Sequence, residues 1–497
     1  MGLPIDKERF TEAEYARFQE RLARELVALR ALLERPGFGR GPESLGAELE
    51  SSIVDGSGQV LPVNEAVLEG SEDPRLQLEL VAFNLEANLT PMPARGASLS
   101  TLEAELDETL SLMEELCVVQ GGHVAPIGIV PSLRAEDVGQ SRITPQARYR
   151  ALVTGVERLQ PSPLHIDIHG PEESLAIQSE TAAIEGSNTS FQVHLRVDPE
   201  KYADTYNAAQ LATPIALALG ANSPFFFGKV LWDETRVPLF KQSLAGRTMP
   251  PGEWHPVVRV PFGHGWVRKG IFELFAESVA LHPPILAPSA EEEPSLRIVH
   301  EGGVPELRGL RLHQGSIWQW NRAVYDPAGG GHVRIELRAL PAGPTPIDMA
   351  ANAAFLLGLV AALREEVDHL LPAFPFRYAE HNFYRAAQRG LDAVLLWPTG
   401  RAPSPEERPL LELVDELLPR AEEGLDRLGV DAADIARYLA VIRARRESKT
   451  TSARWLRRGL GRLEAGTGRE EALARLTLAY LDRVRSRAPV HTWTEAG

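Results

Sequence analysis

With 497 residues, 44% hydrophobic and 24% charged, the chain has the composition of a globular protein with room for two or three structural units. Its formal charge of −16 argues against nucleic acid and anionic membrane surfaces as partners, because both are met by basic patches. A single cysteine, Cys117, excludes an internal disulfide framework and a cysteine zinc cage.

The longest apolar run, Phe355 to Leu363, is short for a bilayer, and the first residues lack the basic start and apolar core of a secretory signal. The expected location is therefore cytoplasmic. Residues 11 to 34 space Tyr15, Phe18, Leu22, Leu26, Leu29 and Leu33 three and four apart, which predicts an amphipathic helix. Thr11 and Glu14 form its capping box, and Pro36, Gly37 and Gly39 end it.

Leu45 to Asp55 reads as a strand whose alternation puts Glu48 and Glu50 on one face and Ala47 and Leu49 on the other. Adjacent carboxylates suit either the wet face of an edge strand or a divalent cation, since hard cations take oxygen ligands. A turn at 55–58 and a short strand from Val60 to Val63 predict a hairpin. Leu76 to Leu89 repeats the theme, setting Asn84, Glu86 and Asn88 against Leu85, Ala87 and Leu89. Thr90 and Pro91 close it, a helix from Ser98 to Val119 follows, and Cys117 at its end reads as an ordinary buried residue.

His165, Asp167 and His169 share one strand face; that is either a polar outer face or a metal site, and ligands so spaced diverge as a strand twists. Ser187 to Val197 is a strand with Ser190, Gln192, His194 and Arg196 on one side. Asp198-Pro-Glu opens a helix to Leu217 that Pro214 should break or kink. A Gly- and Pro-broken loop then leads to Glu234-Thr-Arg236; its Gly228-Lys229 pair lacks the spacing and the hydroxyl of a phosphate loop. Residues 287 to 308 read as a mobile loop. Beyond them, His313 to Arg322, a Gly329-Gly-Gly331 turn and His332 to Arg338 form a hairpin. Arg334, Glu336 and Arg338 line up there, most simply as surface ion pairs, although two other strands carry acids on a comparable face.

From Ile347 the periodicity is helical, over 347–370, 378–397, 406–428, 431–448, 450–463 and 468–487, with strand signals absent. Asn382, Arg385 and Arg389 fall on one helical face, which could be solvated or meet an anionic ligand. The basic run from Arg443 to Arg458 reads as a solvated face.

Taken in order, Gly-Ala-Glu-Leu-Glu (46–50), Asn-Leu-Glu-Ala-Asn-Leu-Thr-Pro (84–91), Asn-Thr-Ser-Phe-Gln-Val-His (188–194), Ala-Asn-Ser-Pro-Phe (221–225), Glu-Thr-Arg (234–236), Ile-Glu-Leu-Arg (335–338) and Asn-Phe-Tyr-Arg-Ala-Ala-Gln-Arg-Gly-Leu-Asp (382–392) resemble the glutamate–cysteine ligase family. Within it, the likeness is to the bacterial second-type branch of the glutamine-synthetase-like carboxylate–amine ligases, from about Leu45 to Pro398. The resemblance implies an α+β fold, a curved antiparallel sheet forming a funnel flanked by helices, with ATP and metals at one end and amino acids at the other. It divides the chain into an N-terminal helix (1–40), a catalytic sheet domain (41–345) and a helical C-terminal unit packed on the sheet (346–497).

The same resemblance implies ATP and Mg²⁺ as cofactors, and glutamate plus an amine such as cysteine as substrates, in a monomer or homodimer. Glu48, Glu50, Glu86 and Glu336 would hold the metals, with Glu79 and His194 as further contributors. Arg338 would touch the ATP phosphates; Arg236 and Arg322 would meet an anionic substrate group or the transferred phosphoryl. Gln192 or His194 would face metal or nucleotide, and Asn382 and Arg385 join the nucleotide set. Glu336, Arg338 and Arg236 are the catalytic candidates. Such chemistry suits acids that bind metal beside arginines that stabilise a transferring phosphoryl group, with no Ser or Cys nucleophile.

Two departures leave the acceptor open. Ala-Leu-Pro-Ala follows Arg338 where many relatives carry Asp, and Gln-Val-His stands where many have His-Val-His. The alternatives are another amine acceptor, a silent amino-acid or nucleotide sensor, and, more distantly, a metal hydrolase using His165, Asp167 and His169.

Overall fold

The computed structural model describes residues 5, 7–159, 163–245, 257–289, 293–398 and 404–495. Its strands in chain order are β1 (Ser44–Asp55), β2 (Leu76–Leu78), β3 (Asn84–Asn88), β4 (Met92–Pro93), β5 (Gly122–Ala125), β6 (Leu164–His169) and β7 (Ser174–Ser179). They continue with β8 (Phe191–Val197), β9 (Phe225–Phe226), β10 (Lys229–Val230), β11 (Asn321–Asp326), β12 (His332–Leu337), β13 (Val394–Trp397) and β14 (Glu406–Pro409). Among the described residues, β1 is the hub of an eight-stranded sheet ordered β11-β12-β8-β1-β3-β2, with β4 and β5 also paired to β1. Its pairs are antiparallel, and the sheet curls into a half-barrel flanked by helices, an α+β architecture.

Alternation decides which face does what. Leu45, Ala47, Leu49, Leu85, Ala87, Phe191, Val193, Leu195, Val333, Ile335 and Leu337 are buried on the helix-backed face. The acids and arginines between them take the concave face. Register then sets their neighbours: Glu50 lies opposite Glu86, Glu48 opposite Gln192, Glu336 opposite His194, and Arg322 opposite Glu336. Side chains paired this way sit about 5 Å apart at Cβ.

The helix Pro346–Leu363 is apolar throughout and long enough to cross a membrane by length, yet 94% of it is buried inside the protein. It carries Asp348, which is paired with Arg445 at 2.7 Å where both are fully buried. The C-terminal helices are tied to the sheet layer by Tyr480, whose hydroxyl donates to the Pro126 carbonyl at 2.7 Å and accepts from Asn222 Nδ2 at 2.8 Å. Asp434 accepts from the Leu99 and Ser100 N–H groups at the start of the helix Ser98–Val119.

Several elements differ from the sequence reading. Val60 makes only an isolated bridge to Val54, and no strand runs to Val63. Pro62 has no N–H to donate, and β5 takes Ser52 to Asp55 instead. Leu76 to Leu89 is two strands, interrupted at 79–83. The helix Tyr202–Gly220 passes through Pro214 without ending, buried along nearly its whole length. Part of the segment read as a mobile loop is helical, at Ser295–His300, and Arg308–Gly315 turns His313 into a helix residue; residues 290–292 lie outside the described set. Strand signals are not absent after 347: β13 and β14 pair within the stretch read as helix, β13 being a short apolar run just past Gly390.

Candidate active site

The concave face of the sheet lines a cavity of about 880 Å³. Into it β1 sends Glu48 and Glu50, β3 sends Glu86, β8 sends Gln192 and His194, β11 sends Arg322, and β12 sends Arg334 and Glu336. Glu79, Glu185, Arg236 and Arg338 reach it from the connecting segments and from the helix Arg236–Ser243. The carboxylates and imidazole form two groups, Glu48–His194–Glu336 and Glu50–Glu79–Glu86, each with ligand atoms within 4.8 Å of one another.

The first group is already balanced by protein cations. Arg322 forks onto Glu336, Nε to Oε2 at 2.7 Å and Nη2 to Oε1 at 2.8 Å, and Arg338 Nη1 donates to the same carboxylate. Burial opposes ionisation of Glu336, but the two arginines outweigh it and hold its carboxyl well below the usual range. Glu48 follows the same pattern: burial pushes up, and His194, with Nε2 at 3.1 Å, pulls down further. His194 accepts the Arg334 Nε–H at Nδ1, 3.0 Å away, so a neutral ring carries its proton on Nε2 and faces Glu48 as a donor. Arg334 is oriented in turn by Asp326 at 2.6 Å.

Among the described residues no cation is paired directly with the second group, and Arg338 acts on Glu50 only from a distance. Glu50 accepts neutral hydrogen bonds from the Ser190 N–H at 2.7 Å, the Ser190 hydroxyl at 3.0 Å and Gln192 Nε2 at 2.9 Å. Burial and then the charge of Glu79 push its carboxyl up to about 7. Burial followed by repulsion from Glu48, Glu79 and Glu50 drives Glu86 well above the usual carboxylate range. Acids crowded with only oxygen donors around them are what a hard divalent cation relieves. The residues present fit Mg²⁺ at Glu50–Glu79–Glu86; at the first group, a metal role for His194 requires Arg334 to release Nδ1.

Not every sequence candidate comes together here. Arg236 lines the cavity but is committed: Nε pairs with fully buried Glu234 at 2.6 Å and Nη2 donates to the Ala339 carbonyl at 2.6 Å. Asn382 does not reach the cavity. It is buried and spends its amide on Leu396 of β13, donating to the carbonyl at 2.6 Å and accepting from the N–H at 2.8 Å. Arg385 is also outside it, donating to Gln388 at 3.2 Å. The structure thus sets these two apart from the acid and arginine cluster, with Asn382 fastened to β13 and Arg385 to its own helix. His165, Asp167 and His169 are exposed on the separate two-stranded sheet β6–β7, and among the described residues they form no metal-ligating group. Gln192 and His194 both face the cavity, Gln192 bridging Glu50 and Arg338.

Sequence reading missed Glu185, which lies in the short 3₁₀ turn Ala182–Ser187, where no periodicity marks a face. It also missed the wall formed by Phe240, Trp318 and Trp320. Phe240 meets Trp320 edge-on at 5.9 Å and Trp318 at 6.2 Å between centroids. The Trp320 carbonyl accepts the Arg338 N–H at 2.9 Å, so this wall stands at the Arg338 end of the β11–β12 hairpin, opposite the end that carries Arg334 and Asp326.

A family model described as glutamate–cysteine ligase family 2 matches residues 44–479. A Frankia alni protein provisionally named glutamate–cysteine ligase 2-1 is 24% identical over 389 residues, or 76% of this chain and 82% of its own. Its namesake in Frankia casuarinae is 23% identical over 422 residues, covering 83% and 90%. Among solved structures, the glutamate–cysteine ligase of Francisella tularensis in complex with AMP aligns at a TM-score of 0.51 and 12% identity over 90% of each chain, a likeness of fold. That fold is of the glutamine-synthetase-like kind.

Proposed function

The chain belongs to glutamate–cysteine ligase family 2, which makes it an ATP-dependent carboxylate–amine ligase, and we propose that it activates the side-chain carboxylate of glutamate and joins it to an amine. The observation that carries this reading is the pairing, on one cavity wall, of an acid group with no direct ion pair and an arginine clamp around Glu336.

Amide formation from a carboxylate is uphill in water. The substrate carboxylate therefore attacks the γ-phosphorus of ATP, and the acyl phosphate so formed is opened by the amine. Glu50, Glu79 and Glu86 would hold Mg²⁺, with Glu48 and Glu336 completing the set. Bound there, Mg²⁺ would neutralise charge on the phosphoryl oxygens. Arg338 and Arg322, fixed by Glu336 and Gln192, would present donors to the same oxygens. Arg236, locked on Glu234, has its charge already compensated and holds the wall rather than offering a mobile hand.

Cysteine is the acceptor suggested by the relatives' names. A second reading, the same chemistry with a bulkier amine, is favoured by the Phe240–Trp318–Trp320 wall, which suits an acceptor with an apolar or aromatic body. Phosphate release from ATP with Mg²⁺ and glutamate, measured with cysteine and with a panel running to aromatic amines, tests both. Stimulation by cysteine supports the first reading, and stronger stimulation by an aromatic amine supports the second. No release with any pair contradicts the ligase assignment.

A further inference from the structure

Gln314 lies in the last turn of the helix Arg308–Gly315, only 4% exposed, and lines the cavity together with Trp318 and Trp320. Its backbone is committed. The Gln314 carbonyl accepts the Ile317 N–H at 3.2 Å in the turn that leads to Trp318, and the Trp318 N–H is pinned to the Arg259 carbonyl at 2.8 Å. The side chain is not. Among the described residues neither Nε2 nor Oε1 has a hydrogen-bond partner, and both atoms are out of water's reach. The indole Nε1 of Trp320, on the same wall, is in the same state. Leaving a buried amide unmet is costly, and an apolar side chain of similar shape would fill the space without that cost. The amide repays its place only when something in the cavity meets it.

Resting on the carboxylate–amine ligase reading, we propose that Gln314 selects the acceptor: its amide turns from the wall into the cavity and meets a hydroxyl group on the acceptor's apolar or aromatic body. Glutamate and the phosphates carry charge, which the arginines and acids of the sheet are placed to meet. Gln314 is neutral and stands off the sheet, on a helix. It shares the Phe240–Trp318–Trp320 wall, whose ring faces can hold an apolar body but cannot tell one substituent from another. A hydroxyl gives one hydrogen bond and takes two, so it can meet the amide through either Oε1 or Nε2. A thiol is a weak donor and a weak acceptor, and a hydrocarbon is neither, so both leave the amide unmet. Discrimination of this kind is strong, because the analogue that lacks the group strands a buried polar atom.

Phenethylamine and its meta- and para-hydroxy derivatives differ by one hydroxyl, and glutamate-dependent phosphate release from Mg²⁺-ATP is measured with each. Wild type should favour the better hydroxylated amine by about tenfold or more in kcat/KM, and Gln314→Met should bring that ratio to about threefold or less. The variant should melt no lower than wild type, since its side chain gives up no partner. Gln314→Ala, which only removes atoms, reads the same ratio should methionine fail to pack. A wild type that uses cysteine but none of the three amines, or treats the three alike, overturns the proposal and leaves the ligase reading standing. A ratio that survives in the folded variant does the same, and so does a variant whose changed preference lies between ATP and GTP, because the amide then reads the base. Glutamate that stimulates no release with any amine, cysteine included, overturns both.

Discussion

Glu336 is the residue on which the cavity's charges converge. It is fully buried, clasped by Arg322 and Arg338, and opposite His194 in register. Glu336→Gln removes one charge and leaves two arginines, themselves mostly buried, short of their partner. Turnover should fall by about 10²–10³-fold, because the clamp is then no longer fixed where charge develops. Stability should drop by about 1–3 kcal/mol, the scale of hydrogen bonds to a charged group in a partly solvated site. Phosphate release and thermal melting read the two effects separately; unchanged turnover in the folded variant removes Glu336 from the mechanism. Sequence alternation placed this acid between two arginines but could not say that the strand faces a cavity, so surface pairing was the simplest account. Its burial comes from the curl of the whole sheet.

At the scale of elements, Asn382 illustrates how a helical stripe misleads. Its spacing with Arg385 suggested an anion-facing surface, whereas both ends of its amide fasten Leu396 of β13 to the helix Phe376–Arg389. Asn382→Ala should cost about 1–3 kcal/mol of stability with the KM for ATP unchanged. A raised KM without a change in melting would restore it to the nucleotide site. Strands β1, β3, β8 and β12 were readable because a period of two, with polar or charged residues on one face and apolar ones on the other, survives any context. The hairpin β11–β12 was marked by its three glycines. The strand β5, the β13–β14 pair and the 3₁₀ turn that holds Glu185 are short, and their conformation is set by what they pack against. The aromatic wall is equally a tertiary product: Phe240 and Trp318 are far apart in sequence and pack together on one side of the cavity.

For the molecule as a whole, folding brings acids together in one cavity at a cost that depends on protonation. Glu50, Glu86 and Glu185 all have carboxyls raised by burial and by neighbouring acids, Glu79 acting on each, so the folded state binds more protons than the unfolded state above the ordinary carboxylate range. Stability then falls as pH rises through the raised values. Buried His282 and His313, lowered to about 3 and about 4, act with the opposite sign, but only below their ordinary value of 6.5. Between pH 6.5 and 8, in chelator, the melting temperature should therefore decrease, and Mg²⁺ should raise it more at pH 8 than at 6.5. A Mg²⁺ effect independent of pH would contradict metal binding at Glu50, Glu79 and Glu86. The central claim is that a substrate carboxylate is phosphorylated before the amine arrives, and isotope transfer tests it most directly. With glutamate carrying ¹⁸O in its side-chain carboxylate, together with Mg²⁺-ATP and the active amine, the account predicts one ¹⁸O in each phosphate released. Phosphate without label, with amide still formed, would contradict it.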